Sequence, residues 1–418
     1  MAVTWREDSV LVELLRASAG RQPKLLRLKL KRMSMSAFSF FRGACTLFVH
    51  DWQDLHPPDP GPELLVCGDL HLENYGAYRD DDGDFRFDIN DFDEAIVGPC
   101  SIDPVRCATS ILLAAEEWAL SPLHANGLVL AYLDEYRAAV TTPVHARAID
   151  AEAPRLSSGP IGQILGKTAL GTQSELLDHH TQTLKDGSRR IDRRRRRHPS
   201  LPTQQKTLIS AAVEEYGTKK GLAEVFQVID VSWRIAGIGS LGVERYLVLI
   251  AGGGSAETNR LIDVKAMNPS VWIGRGGRNL TPPPASEAAR AVVAQRALQA
   301  SPTAGLDVLP IDGVDFRVRE MIPEENRPSL DRFQEKPKKL RQAIVAAGRL
   351  TGLAHLRVAL TAGATEALAD WARGPALDSV LAAAARCAEK SRLGFKQFRT
   401  EIKAPESLPD DLREALSS

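Results

Sequence analysis

Two short polar stretches carry residues suited to metal-phosphate chemistry. The first, Gly68-Asp69-Leu70-His71-Leu72-Glu73-Asn74, follows the apolar, strand-like Leu64-Leu65-Val66. Asp69 and Asn74 stand on one loop, so the carboxylate can face an acceptor hydroxyl while the amide oxygen serves a hard cation, which takes oxygen ligands. The second, Asn90-Asp91-Phe92-Asp93, closes the alternating Phe85-Arg86-Phe87-Asp88-Ile89, and there Asp91 can supply a further oxygen ligand. The plainer alternative for both is a polar turn with capping residues.

A second group lies far downstream. Gly237-Ile238-Gly239-Ser240-Leu241-Gly242 is a G-x-G-x-x-G pattern, which alone also marks ordinary turns. A dinucleotide-binding fold needs a helix directly after such glycines, whereas Tyr246-Leu247-Val248-Leu249-Ile250 reads as a strand. A hairpin carrying Gly237, Gly239, Ser240 and Gly242 over phosphates fits that order better. Leu261-Ile262-Asp263-Val264-Lys265-Ala266 then puts Lys265 at the inner end of an apolar strand, where it can reach the α- and β-phosphates. The alternative is an edge lysine with its head in water.

These residues must be positioned by both helices and strands. Residues 8–52 read as helical, 64–66 and 85–89 as strands, and 103–147 as helix again. Within the less readable 148–225, the arginine run 193–197 reads as a solvated loop, because adjacent like charges repel. Residues 225–321 are strand-rich, with strands expected at 228–235, 246–250, 261–265 and 316–321 and one helix over 286–300. Beyond Arg332 the Ala/Leu-rich sequence predicts helices, clearest over 342–357 and 376–389.

Composition narrows the function classes. The 418 residues carry 53 basic and 53 acidic side chains, so no global field recruits nucleic acid or a membrane. Five scattered cysteines without C-x-x-C spacing argue against a zinc knuckle or a disulfide framework and suit a reducing cytoplasm. The charged N-terminus lacks a signal-peptide core, and no spanning apolar run is expected. His355 reads as a structural histidine, and Arg42 and Arg106 as buried arginines paired with acids.

The stretch Cys67-Gly68-Asp69-Leu70-His71-Leu72-Glu73-Asn74, followed by Asn90-Asp91-Phe92, resembles the aminoglycoside-phosphotransferase branch of the protein-kinase-like superfamily. That loop reads H-G-D-x-H-x-x-N, with Cys67 here in place of the first histidine. The chain resembles more closely still the bacterial domain of unknown function 2252 family. Arg32-Met33, Phe40-Phe41-Arg42-Gly43, Cys67 to Asn74, Gly98-Pro99 with Asp103, the glycine stretch and Val264-Lys265 carry that resemblance.

The resemblance implies an α+β, two-lobed, protein-kinase-like fold, circularly permuted because the catalytic loop precedes the glycine loop. Residues 1–224 and 323–418 would form the large helical lobe, the former with the catalytic and metal loops, and 225–322 the small antiparallel-sheet lobe that clamps the nucleotide. It further implies an ATP-dependent phosphotransferase using Mg²⁺ and a hydroxyl-bearing small-molecule or protein acceptor. Asp69 would orient or deprotonate that acceptor, Asn74 and Asp91 would hold Mg²⁺, and Lys265 would bind phosphate. Glu287 on the following helix would pair with Lys265, with Gln295 the alternative, and the backbone of Glu320, Met321 and Ile322 would bind adenine. AMP transfer on the same fold and a non-catalytic nucleotide-binding or interaction protein are the alternatives. A metallophosphoesterase is disfavoured, because its G-N-H and G-H histidines do not occur.

Overall fold

The computed structural model describes residues 9–142, 160–163, 173–195, 197–321, 333, 335–404 and 408–417. The N-terminal helices are α1 (Val10–Arg16), α2 (Pro23–Met33), α3 (Ala37–Gly43) and α4 (Cys45–Leu55), with the side chains of Ser9 and Ser36 capping α1 and α3. The strands β1 (Glu63–Val66), β2 (Tyr75–Arg79), β3 (Phe85–Ile89) and β4 (Ile96–Pro99) follow, then α5 (Ile102–Glu117) and α6 (Pro122–Thr141). Helix α7 (Gln173–His180), strands β5 (Thr181–Thr183) and β6 (Arg189–Ile191) and helix α8 (Thr203–Lys219) lead into β7 (Val228–Trp233), β8 (Arg245–Ile250) and β9 (Arg260–Ala266). Helix α9 (Glu287–Leu298), β10 (Asp307–Ile311) and β11 (Val314–Glu320) precede the C-terminal helices α10 (Pro337–Ala362), α11 (Thr365–Arg373), α12 (Ala376–Glu401) and α13 (Asp410–Ser417).

The molecule is thus a mixed α+β fold with small antiparallel sheets. The largest has the order β10-β11-β9-β8-β7. Its two faces follow from the two-residue period of a strand. Tyr246, Val248, Ile262, Val264, Phe316 and Val318 form an apolar face packed on Ile209 and Val213 of α8. Arg245, Asp263, Lys265, Arg317 and Arg319 occupy the opposite face.

Strand β10 is an addition to the expected set. Pro310 argues against a central strand, but β10 is an edge strand, where a missing N–H costs no ladder bond. Asp312 and Gly313, with φ of 50° and 76°, close the β10–β11 hairpin, a turn that Asp-Gly favours.

Chain-distant helices share one hydrophobic core. Phe48 and Trp52 of α4, Ile111 of α5, Leu133 of α6, Ile344 of α10 and Leu377 of α12 belong to the same buried cluster. The sequence predicts no uninterrupted spanning apolar run, and among the described residues helix α10 is the one helix with a membrane helix's length and mean hydropathy. Of its apolar window, 83% is buried inside the fold, as in a core helix. Its close approach to α6 depends on glycine: a Cβ at Gly348 would lie 2.2 Å from the Tyr132 carbonyl oxygen. The roughly 1 kcal/mol that glycine costs a helix relative to alanine is smaller than that clash.

The arginine run is also tied to the sheet and does not stand free of it. Arg193 donates to the buried Asp230 at 2.7 Å and to the Val231 carbonyl, and Arg194 pairs with Asp192. The Arg197 carbonyl accepts from the Ile235 N–H, and Arg196 lies outside the described residues. The mutual repulsion of the run is met by two aspartates that lie on either side of it in the chain.

Candidate active site

The site is assembled by the way β1 to β4 nest. β1 pairs with β4 and β2 with β3, so the β1–β2 loop and the β3–β4 loop emerge side by side. The Asn90 N–H donates to the Asn74 carbonyl at 2.7 Å and joins them. At Gly68, φ is +75° and a Cβ would meet the Glu94 carbonyl oxygen at 2.3 Å, so only glycine lets the loops approach this closely. The fully buried Asp103 carboxylate accepts from the backbone N–H groups of Cys67 and Gly68 at 2.8 and 2.9 Å. His355 lies 3.2 Å from that carboxylate and 2.9 Å from the Tyr136 hydroxyl, a structural position behind the loop.

Asp69 at the loop tip is paired with the fully buried Arg106, whose guanidinium stacks 4.3 Å from the Phe41 ring centroid. Burial raises the Asp69 carboxyl to about 6; Arg106 opposes the rise and the nearby Asp91 carboxylate adds to it. Asn74 donates through Nδ2 to the Asp69 carbonyl at 2.6 Å, which leaves its Oδ1 out of that bond. That oxygen is buried without a hydrogen-bond partner.

Lys265 is buried and pairs with Asp93. Burial lowers the lysine's pKa, while Asp93 and then Asp91 hold it up. Burial alone would raise the Asp93 carboxyl, but Lys265 and Arg317 outweigh it and keep the carboxyl below the ordinary range. Glu287, expected as the lysine's partner, instead bonds Arg290 at 2.5 Å. The reason is local: Arg290 lies three residues along the same helix, within side-chain reach. Gln295 is fully buried and donates to Gln299 and Thr303.

The glycine loop is held from outside by α2 and the residues before it. Arg21 donates to the Gly239 and Leu241 carbonyls at 2.6 Å, Lys29 to Gly239 at 3.1 Å and Arg32 to Gly237 at 2.8 Å. Gly237 and Gly242 take φ of 77° and 89°, a backbone that other residues adopt only under strain.

One polar cleft collects Asp69, Asn74, Asp91, Gly237, Gly239, Ser240 and Lys265. Gly242, Glu287, Glu320 and Met321 do not line it. The Glu320 and Met321 N–H groups are already bonded to the carbonyls of Ala304 and Leu261, so they are not available to a base. Ile322 lies outside the described residues. The cleft also contains Arg245, Arg317 and Arg319, which pattern reading missed. Their alternation in phase with Lys265 on neighbouring strands was the signal. Asp93 stood inside the Asn90-Asp91-Phe92-Asp93 stretch without an assigned role. The contacts of Arg21, Lys29 and Arg32 had no local signature.

Among the described residues no three His, Cys, Asp or Glu side chains converge as a ready-made metal site. Mg²⁺ needs less than that, since phosphate and water oxygens usually complete its octahedron around one or two protein ligands. The orphaned Asn74 Oδ1 and the Asp91 carboxylate are hard oxygen donors on one wall of the cleft and fit that requirement.

No curated protein and no solved structure matches the chain. A family profile described as an uncharacterized protein conserved in bacteria matches residues 21–401, a span that holds both nested loops, the glycine loop and Lys265. The chain therefore belongs to the DUF2252 family.

Proposed function

We propose that this protein is a Mg²⁺-ATP-dependent phosphotransferase with a circularly permuted, kinase-like arrangement of its groups. The observation that carries the reading is the position of Asp69 and Asp91. Both line the cleft with Lys265, and both also line an adjoining pocket that contains Lys29, Asp93 and Glu94. Donor and acceptor can therefore meet at Asp69 from two sides.

In this reading the phosphates lie in the first cleft under Gly237–Ser240, against Lys265, with Mg²⁺ held by Asn74 and Asp91. Asp69 accepts the proton of an acceptor hydroxyl in the second cavity. The hydroxyl oxygen forms a bond to the terminal phosphorus as the bond to the bridging oxygen breaks, and ADP leaves. The Asp69 carboxyl at about 6 suits a base that is ionised at neutral pH yet able to take a proton.

AMP transfer is the second reading, and one observation favours it. Two residues inward from Lys265 the strand carries Asp263 bonded to Arg234 and Arg245, so the face is charged next to Lys265, and the apolar Leu247, Leu249 and Leu261 beyond are already packed with Leu176 and Leu177. A nucleotide lying with its phosphates inward suits such a face.

The test is incubation with Mg²⁺ and ATP labelled at the γ- or the α-phosphate, with a panel of hydroxyl acceptors. Transfer of the γ-label supports the phosphotransferase and transfer of the α-label the AMP transferase. Binding without transfer of either label favours a non-catalytic nucleotide-binding protein. Absence of any Mg²⁺-ATP effect on the melting temperature sinks all three.

A further inference from the structure

The cleft face of the five-stranded sheet carries more positive charge than one phosphate-binding lysine explains. Arg234, Arg245, Lys265, Arg317 and Arg319 surround two carboxylates, Asp263 and Asp93. Arg234 and Arg245 bond Asp263 at 2.6 Å, but Arg319 and Arg317 approach it only to 3.7 and 3.9 Å. Arg317 is 2% exposed, and its Nε and Nη1 have no hydrogen-bond partner. A buried guanidinium left in that state is costly unless a ligand completes it. Arg319 donates to the neutral Asn90 Oδ1 at 2.7 Å, and burial and then the neighbouring Arg317 lower its pKa to about 9.

Register shows what shape of ligand relieves it. Lys265 is directly opposite Arg245 on β8 and directly opposite Arg317 on β11, so three cations form one row across adjacent strands. Like charges facing each other across a sheet destabilise it, which argues against a purely structural role. With strands about 4.8 Å apart the row spans roughly 10 Å. One phosphate cannot touch both ends, whereas a chain of two or three can.

We propose that Arg245, Lys265, Arg317 and Arg319 form a cradle for a linear polyphosphate, whether a nucleoside triphosphate or inorganic polyphosphate. It deepens the transferase reading and rests on that reading only for the nucleotide. Charge on the sheet holds the phosphate chain, and Mg²⁺ on the opposite wall is not required for that binding.

The probe is sodium tripolyphosphate, compared with pyrophosphate, phosphate and sulfate at equal ionic strength, with EDTA present. Thermal melts and calorimetry of the full chain are expected to show affinity rising at least about tenfold from phosphate to tripolyphosphate. Arg317→Met and Arg319→Met should each weaken tripolyphosphate binding by about tenfold or more, and the exposed Arg373→Met should not. A flat chain-length series in the wild type, no better than sulfate, overturns the cradle even if the variants do not fold. Equal tripolyphosphate binding by wild type and a folded Arg317→Met also overturns it. Tripolyphosphate binding without any Mg²⁺-ATP effect leaves the cradle standing as an inorganic polyphosphate site and removes the transferase reading. Tripolyphosphate binding no better than that of sulfate, beside an intact Mg²⁺-ATP effect, does the reverse.

Discussion

Lys265 forms its ion pair with Asp93, 172 residues earlier in the chain, while Glu287 on the helix after its own strand is bonded to Arg290. The sheet and the nested loops are therefore joined by a charge pair between the buried Lys265 and the half-buried Asp93. Removing one partner strands the other, which typically costs about 3–5 kcal/mol. Asp93→Ala is expected to lower stability by that order in urea unfolding. The Lys265→Ala/Asp93→Ala double variant should lose clearly less than the sum of the singles. Glu287→Ala should keep the Mg²⁺-ATP effect on the melt, and loss of that effect would return Glu287 to the site.

Asp69 has a task that depends on its ionisation. With its carboxyl at about 6, transfer should rise with pH through that value and level off above it, because the carboxylate is the active form. Asp69→Asn is expected to lose transfer by about 10²- to 10⁴-fold and to abolish that limb of the profile. Its Mg²⁺-ATP stabilisation should remain. An unchanged limb in Asp69→Asn would assign the base elsewhere.

Glu94 provides a stability test of opposite character. Burial raises its carboxyl to about 7, against the Val271 N–H bond and with help from Asp69 and Asp93. A raised acid contributes stability fully below its unfolded value of about 4.5, and that contribution is lost as pH rises through about 7. Glu94→Gln keeps the acceptor oxygen and removes the titration. Its stability should exceed that of the wild type above pH 7, by up to about 3 kcal/mol, and the two should converge near pH 4. Parallel pH curves would show that Glu94 ionises freely in the folded protein.

The glycine loop is fixed through carbonyls, so its clamp can be loosened without touching a phosphate ligand. Arg32→Ala removes the bond to Gly237 and Arg21→Ala those to Gly239 and Leu241. Each should raise deuterium uptake over 237–242 and weaken Mg²⁺-ATP binding by about tenfold, the scale of one or two charge-assisted bonds. Unchanged uptake would show that the loop holds its shape alone.

Arg193 tests the arginine run. It shares the buried Asp230 carboxylate with Lys206, which lies 2.6 Å from it. Because Lys206 remains, Arg193→Ala should cost only about 1 kcal/mol, and deletion of 193–197 more, since the Arg197 carbonyl also supports Ile235. A deletion variant melting like the wild type would restore the reading of a solvated loop.

Local shapes are written in short stretches of the chain. Loop 68–74 between strands, the positive-φ glycines at 237 and 242 and Lys265 at the end of an apolar strand are all short-range patterns. Spacing, strand period and turn chemistry act over a few residues and are legible there. Asp93, Arg245, Arg317 and Arg319 were equally visible as residues, but no local rule says which strands pair or in what register. Only the order β10-β11-β9-β8-β7 set Arg245, Lys265 and Arg317 in one row. Only the packing of the sheet against the nested loops brought Asp93 to Lys265 and kept Glu287 with Arg290. Ion-pair partners are chosen by proximity after burial, and burial is a property of the whole fold.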